Sequence, residues 1–320
     1  MLRSYSKLGR AHKRIGYDLG YTKKLDRLSE VTKINGTVTA AIAKFAYADG
    51  VPVPPPLGIP SVGGDLGRVR EVLKHFVRDW SVAGFKERQR IFDPILRVLQ
   101  QVSLSEHQAV LVPGCGLGRL AWEISRLGKS FDVTANELSS FMSLALRFLL
   151  SPITTTSASQ YTIHPYAHWF SHQETNKNLF RGISFPDVVP RLCETFRLVE
   201  GDFLNLKALQ REGGSGYDFI VTLFFIDTSL NIASTIEQIY YLLRPGGTWI
   251  NLGPLLWTGG AETAVELSLD EVLKLAGIVG FVVDNASRER VPCEYTADSE
   301  AMMKWVYQAE FWVAKKQVLR

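Results

Sequence analysis

The sequence predicts an α/β fold built on a mostly parallel sheet, and three observations carry that expectation. An apolar run at 110–112 enters Pro113-Gly-Cys-Gly-Leu-Gly118, a helical-period run follows, and residues 131–137 form a second short strand ending on Glu137. Residues 217–226 are almost unbroken apolar, the pattern of a strand buried on both faces of a parallel sheet. Near the end, a helical stretch at 269–280 is followed by strands near 281–285 and 310–314, which read as a closing antiparallel hairpin. With strands at 197–200 and 248–257 added, the sequence gives a seven-stranded, Rossmann-like sheet.

Composition bounds the class. At 320 residues the chain can bury a sizeable core as one large domain with an added piece. No apolar stretch reaches membrane-spanning length; 144–153 is too short and contains Arg147. No signal-peptide pattern opens the chain, and no membrane partner is expected. Cys115, Cys193 and Cys293 are isolated, which argues for a reducing compartment and against a disulfide framework or zinc cage. The expected location is cytoplasmic, with nuclear entry left open.

Charge is unevenly placed. Residues 1–33 hold nine Lys/Arg against three acids, a net of +6, so the remainder carries −2 of the +4 total. A solvated helical face accounts for this excess. Without clustered aromatic stacking partners the segment is not read as a nucleic-acid arm.

In chain order, 1–48 reads as helices broken near Gly16 and Gly20, with a stripe from Leu25 to Phe45 weakened at Asn35-Gly36. Residues 50–58, Gly-Val-Pro-Val-Pro-Pro-Pro-Leu-Gly, form a stiff connector. The chain therefore divides into an N-terminal helical segment with its connector, 1–64, and a main domain, 65–320. Helices are expected at 65–80 and 86–100. Trp80 reads as core. Arg78 is either a helix-face charge, which the sequence alone favours, or a carboxylate clamp.

The glycine turn is the first functional signal. Gly114 turns the backbone off the strand, Gly116 lets the main chain approach a ligand, and Gly118 lets the helix pack close to the sheet. Glu137 lies where a carboxylate accepts ribose hydroxyls. The spacing is Gly-x-Gly-x-Gly rather than the pyrophosphate form, which points to S-adenosylmethionine as cofactor. A tight βα turn that binds nothing is the structural alternative.

A helix at 139–150 precedes a long insertion, 151–196, whose aromatic density argues for a lid over a ligand. Its His164, His168 and His172 recur every four residues. No carboxylate or cysteine joins them at ligand spacing, so they read as loop histidines facing water or lining a pocket, and no metal is expected. Asp202 lies where an adenine amine can be received and Phe203 where a ring can stack; a turn aspartate is the plain alternative. Asp227 ends the central strand beside the switch point where such sheets bind ligands. Asp227, Thr228 or Ser229 can cap the helix expected from about 230, and either hydroxyl alone would free Asp227 for chemistry. Residues 244–247 read as a turn before the 248–257 strand.

Taken together, several segments resemble the carnosine N-methyltransferase family from about residue 65 to the C-terminus. They are Phe76-Val-Arg-Asp-Trp-Ser81, Val112-Pro-Gly-Cys-Gly-Leu-Gly-Arg-Leu-Ala-Trp-Glu123, Asn136-Glu137, Phe185-Pro-Asp-Val188 and Gly201-Asp-Phe203. Phe224-Phe-Ile-Asp-Thr228, Pro245-Gly-Gly-Thr-Trp-Ile-Asn-Leu-Gly-Pro-Leu-Leu256 and Met302-Met-Lys304 complete the set. The resemblance implies a class I methyltransferase sheet with an N-terminal helical region, S-adenosylmethionine as donor, and a small-molecule acceptor. Within the family that acceptor is an imidazole nitrogen of a histidine-containing dipeptide.

By the same resemblance Arg78, Gly114, Glu137, Asp202 and Phe203 match cofactor positions, and Asp227 matches the acceptor-binding carboxylate. Tyr295 and Tyr307 match aromatic positions of the acceptor pocket, and His168 is counted with them from the lid. The N-terminal helices allow a homodimer. Two departures stand out: Trp257-Thr258 replaces the family's Tyr-His, so Thr258 stands where a histidine holds the acceptor, and His75 replaces a glutamine three residues before Arg78. Another small azole, amine or hydroxyl compound, or a peptide histidine, is therefore the alternative acceptor. A cofactor-binding scaffold without transfer activity is the competing class, favoured by the missing histidine and opposed by the intact Asp227.

Overall fold

The computed structural model describes residues 1–48, 50, 62–102, 107–211 and 214–318. The connector expected at 50–58 lies almost wholly outside the described residues.

After a single helical turn at Leu2–Tyr5 come α1 (Arg10–Asp18) and α2 (Tyr21–Ala48). The break falls at Gly20, where φ is +74°, and not at Gly16, which sits inside α1 against the Tyr5 ring. Nor is α2 interrupted at Asn35-Gly36. Asn35 turns its side chain outward instead, donating from Nδ2 to the His164 carbonyl at 3.0 Å and accepting the His164 amide at 2.7 Å.

Helix α3 (Val62–Trp80) starts one turn earlier than expected, and α4 (Phe85–Gln100) follows a short 3-10 turn. Ser81 caps that turn by accepting the Gly84 amide. Gly84 packs so closely that a Cβ would stand 2.2 Å from the Val77 carbonyl oxygen.

The sheet comprises β1 (Gln108–Pro113), β2 (Phe131–Glu137), β3 (Phe196–Glu200), β4 (Tyr217–Leu223), β5 (Leu243–Gly253), β6 (Phe281–Cys293) and β7 (Tyr307–Lys316). Its order is β6-β7-β5-β4-β1-β2-β3, parallel except for β7, which runs against both β5 and β6. This is the Rossmann-like, seven-stranded sheet the sequence predicts. The order reverses between β1 and β4, which opens a crevice at their carboxyl ends.

Several boundaries differ from expectation for local reasons. Strand β4 stops at Leu223 rather than 226 because Phe224 adopts φ +50°. Strand β5 begins at Leu243 and takes in 244–247, expected as a turn, by a shift in pairing between Tyr217 and Phe219. Between β3 and β4 the described residues form a 3-10 turn and a short hairpin, Gln210–Arg211 with Gly214–Ser215.

Helices α5 (Arg119–Ser125) and α6 (Ser140–Leu150) follow β1 and β2, while α7 (Ile232–Leu242) and α8 (Leu269–Val279) follow β4 and β5. Helices α2 to α6 cover one face of the sheet through one core, to which α2 contributes Val38 and Ile42. On the other face, α7 and α8 pack over Trp249 and Trp312. Each face thus removes its apolar side chains from water, the main source of stability in such a layered fold.

The insertion at 151–196 is not a structureless lid. Tyr161–Ile163 pairs with Ile183–Phe185, and Phe185 stacks on Phe76 of α3 with centroids 4.2 Å apart. The Asn35–His164 pair fastens it to α2.

Candidate active site

The crevice is floored by the glycine turn. Gly114 and Gly116 have φ of +58° and +57°, a region that favours glycine. A Cβ on Gly114 would stand 2.5 Å from the Phe225 ring, so Phe225 lies directly over the turn. A Cβ on Gly116 would face His75 Nδ1 at 3.5 Å and Arg78 Nη2 at 3.8 Å. Gly118 makes its close approach to Leu146 of α6, at 2.9 Å from an added Cβ, and not to the sheet as expected.

Glu137 is held from two sides. Its Oε2 accepts the Gly116 amide at 2.8 Å and its Oε1 the Ser139 amide at 2.8 Å. Each oxygen keeps a second lone pair for another donor, such as a ribose hydroxyl. Burial raises its pKa against the pull of those amides.

Arg78 is buried rather than a helix-face charge. Its Nε donates to Asp79 Oδ1 at 2.7 Å, its Nη2 to Asp79 Oδ2 at 3.1 Å, and Nη2 also lies 3.0 Å from His75 Nδ1. Burial works against both charges of the Arg78–Asp79 pair, yet their mutual attraction wins. Arg78 is held above its ordinary range and Asp79 well below the usual carboxylate range. Burial and the Arg78 charge push His75 down. Tyr295 closes this cluster, with its ring 4.8 Å from the Arg78 guanidinium and its Oη 3.4 Å from His75 Nε2. The cavity shared by His75, Arg78, Gly114 and Tyr295 encloses about 30 Å³, room for the tip of a ligand.

On the β4 side, Asp227 is 4% exposed in a 3-10 turn, Ile226–Thr228. Its Oδ2 accepts the Leu256 amide at 3.1 Å. Burial raises its pKa to about 6, against the pull of that amide. None of Asp227, Thr228 and Ser229 caps α7, which starts at Ile232. Asn231 takes that role, accepting the amides of Ala233 and Ser234, because Ser229 is still extended. Asp227 is thereby free of the helix cap. The Thr258 amide donates to the Asp227 carbonyl at 3.1 Å, while the Thr258 residue itself is exposed.

A second cavity of about 270 Å³ adjoins the first through Tyr295. Tyr307 and His168 line it too, and Phe224 packs against both tyrosines, at 4.6 Å from Tyr295 and 5.7 Å from Tyr307. Tyr307 feels the charge of Asp227, which with burial raises its pKa. Its roof is stitched together: the Met302 amide donates to the His172 carbonyl at 2.7 Å, and Gln173 Nε2 to Asp298 Oδ2 at 2.9 Å.

Asp202 and Phe203 are placed differently from each other. Asp202 is exposed and its Oδ1 accepts the Leu204 amide at 2.9 Å, the turn-aspartate arrangement. Phe203 is buried under α7, edge-on to Phe225 at 5.3 Å, so its ring belongs to the core and is not offered for stacking. His164 is also structural, 5% exposed and bonded through Nδ1 to the Phe180 carbonyl at 2.8 Å. The three histidines form no cluster with metal-ligating side chains among the described residues.

The profile of a family described as carnosine N-methyltransferase matches residues 59–318. The chain belongs to the carnosine N-methyltransferase family. It is 34% identical to the mouse carnosine N-methyltransferase over 269 residues, 81% of this chain and 65% of the mouse protein. The chain thus spans less than two thirds of that relative's own length. It is 31% identical to the fission yeast (Schizosaccharomyces pombe) carnosine N-methyltransferase over 340 aligned positions, 98% of this chain and 89% of that one. Among solved structures, a phosphoethanolamine N-methyltransferase of Haemonchus contortus aligns at 13% identity and a TM-score of 0.49, covering 83% of this chain and 62% of that one.

Within the span matched by the carnosine N-methyltransferase profile, one network escaped sequence reasoning. Asp187, from Phe185-Pro-Asp-Val, bridges two buried arginines: Oδ2 accepts Arg88 Nη2 at 2.6 Å and Oδ1 accepts Arg119 Nη1 at 2.6 Å. Arg119 follows the glycine turn and also donates to the Asp79 carbonyl at 3.1 Å. The insertion, the turn and the end of α3 are therefore one assembly. Phe185-Pro-Asp-Val188 and the segment with Arg119 were both singled out in the sequence, but nothing along the chain showed that they meet.

Proposed function

We propose that the chain is an S-adenosylmethionine-dependent N-methyltransferase acting on a small molecule, at an imidazole nitrogen of a histidine-containing dipeptide such as carnosine. The observation that carries this reading is the buried Asp227 carboxylate, anchored on one oxygen by Leu256 and two residues beyond Phe225, which lies over a glycine turn flanked by Glu137 and Arg78.

The residues present fit the donor. Gly116 leaves the main chain bare next to Arg78, whose cation suits a carboxylate, and Glu137 retains acceptor capacity for a ribose. When bound there, S-adenosylmethionine supplies a methyl group already activated on sulfonium.

The chain's own chemistry is positional. Asp227, ionised above pH of about 6, accepts the N–H of an azole and leaves the opposite ring nitrogen with a free lone pair. The carboxylate also stabilises positive charge that develops on the ring. Tyr295 and Tyr307 supply a desolvated aromatic wall. No external base is needed when the attacking nitrogen is already neutral.

A second reading keeps the chemistry and changes the acceptor, favoured by Thr258, exposed beside Asp227 where the family has histidine. The test is methyl transfer from labelled S-adenosylmethionine to carnosine, homocarnosine, free histidine and a histidine peptide, with calorimetry of S-adenosylhomocysteine on the same sample. Transfer to the dipeptides supports the first reading. Tight cofactor binding with transfer only to other compounds supports the second, and no cofactor binding overturns both.

A further inference from the structure

We propose that Lys74 and Lys304 form an anion seat in the 270 Å³ cavity, which takes a carboxylate carried by the acceptor away from its reacting ring. The proposal rests on the methyltransferase reading of the site and adds what fixes the acceptor's carboxylate.

Four observations lead there. First, both lysines line the cavity, one from the middle of α3 and one from the loop before β7. Lys74 precedes Arg78 by four residues, so one helix face presents a cation to each of the two adjoining cavities. Second, neither lysine is in an ion pair with any described residue, although carboxylates are near. Asp298, the acid that lines the same cavity, is already committed to Arg181 and to Gln173. The cavity therefore carries an uncompensated positive charge.

Third, that charge is felt inside. His168 is held below its ordinary value by burial, then by the positive charges of Arg70 and Lys74. Fourth, Tyr166, Trp169, Trp305 and Met303 give the same wall an aromatic and apolar part, beside the polar Ser171, Gln173 and Thr296. A charge-assisted bond in such a partly desolvated setting is stronger than one in open water. The cavity thus suits a compact ligand with a flat apolar body and a terminal anion.

The experiment compares β-alanylhistidine with β-alanylhistamine, which lacks only the carboxylate. Both are titrated calorimetrically into the full chain loaded with S-adenosylhomocysteine, in wild type, Lys304→Gln, Lys74→Gln and the double variant. The acid should bind about tenfold tighter than its decarboxylated analogue, the worth of one good charge-assisted bond. Each single variant should shrink that preference, and the double variant should bring it close to one. Lys304 is exposed in a loop, so Lys304→Gln keeps the test alive where Lys74→Gln misfolds. Equal binding by wild type, or variants that weaken both compounds alike, overturns the anion seat and leaves the methyltransferase reading standing. Binding of neither compound overturns the dipeptide reading and the seat together.

Discussion

His75 Nδ1 lies 3.0 Å from Arg78 Nη2, and because a guanidinium has only donors, that contact makes the histidine an acceptor. Burial and the Arg78 charge favour the neutral imidazole over the pull of Asp79 Oδ2, 3.7 Å from the same nitrogen, and its proton on Nε2 then faces Tyr295 Oη at 3.4 Å. A glutamine carbonyl, the family's group at this position, would accept from Arg78 in the same way.

His75→Gln should accordingly keep cofactor affinity within about threefold at neutral pH, while wild type alone loses affinity in acid. Protonating Nδ1 removes the acceptor and sets a cation against Arg78. The folded pKa lies below the ordinary 6.5, so the stability from burying neutral His75 is present above about 6.5 and is lost as pH falls through the lowered value. Thermal melts from pH 8 to 5 check this: the variant should show the flatter profile.

Asp227→Asn tests the carboxylate itself. Turnover should fall by about a hundredfold or more with cofactor affinity unchanged, since an interaction with developing charge is lost. The same change should stabilise the fold at neutral pH. With a folded pKa of about 6 against 3.8, the protonated form is favoured by folding, so that stability is present below about 3.8 and is lost as pH rises through about 6. The gain at pH 7.5 is up to about 3 kcal/mol. Melting curves at pH 7.5 and 4 should show it shrinking with acid.

Arg78→Met should abolish cofactor binding and destabilise the chain by about 3 kcal/mol, because Asp79 would be left as a buried, unpaired carboxylate. A double change, Arg78→Met with Asp79→Leu, should recover the stability and not the binding. Calorimetry and chemical denaturation separate the two effects.

Asp187→Ala removes the carboxylate shared by Arg88 and Arg119. Leaving two buried guanidinium groups together should cost about 3–5 kcal/mol. It should also loosen the insertion, seen as faster amide exchange at 183–187, while sparing strands on the far side of the sheet.

The sheet was legible because its signals are local: the glycine turn, the acid ending β2 and the apolar β4 each declare themselves within a few residues. Asp227 was legible for the same reason, as a carboxylate at the end of a central strand. Phe203 was misjudged because burial under α7 is a tertiary fact, and a phenylalanine after a strand reads alike whether it packs or stacks. Arg78 was ambiguous until α3 was seen to bury its last turn. The insertion's own structure was not legible, because Asn35, 129 residues from His164 along the chain, pins it. Pairings that distant leave no periodicity to read.

The most direct measurement is product analysis after incubating the full chain with methyl-labelled S-adenosylmethionine and carnosine, alongside Asp227→Asn. The account expects label on an imidazole nitrogen of the dipeptide with wild type and about a hundredfold less with the variant. Equal labelling by both proteins, or label on the amine and none on the ring, would contradict it.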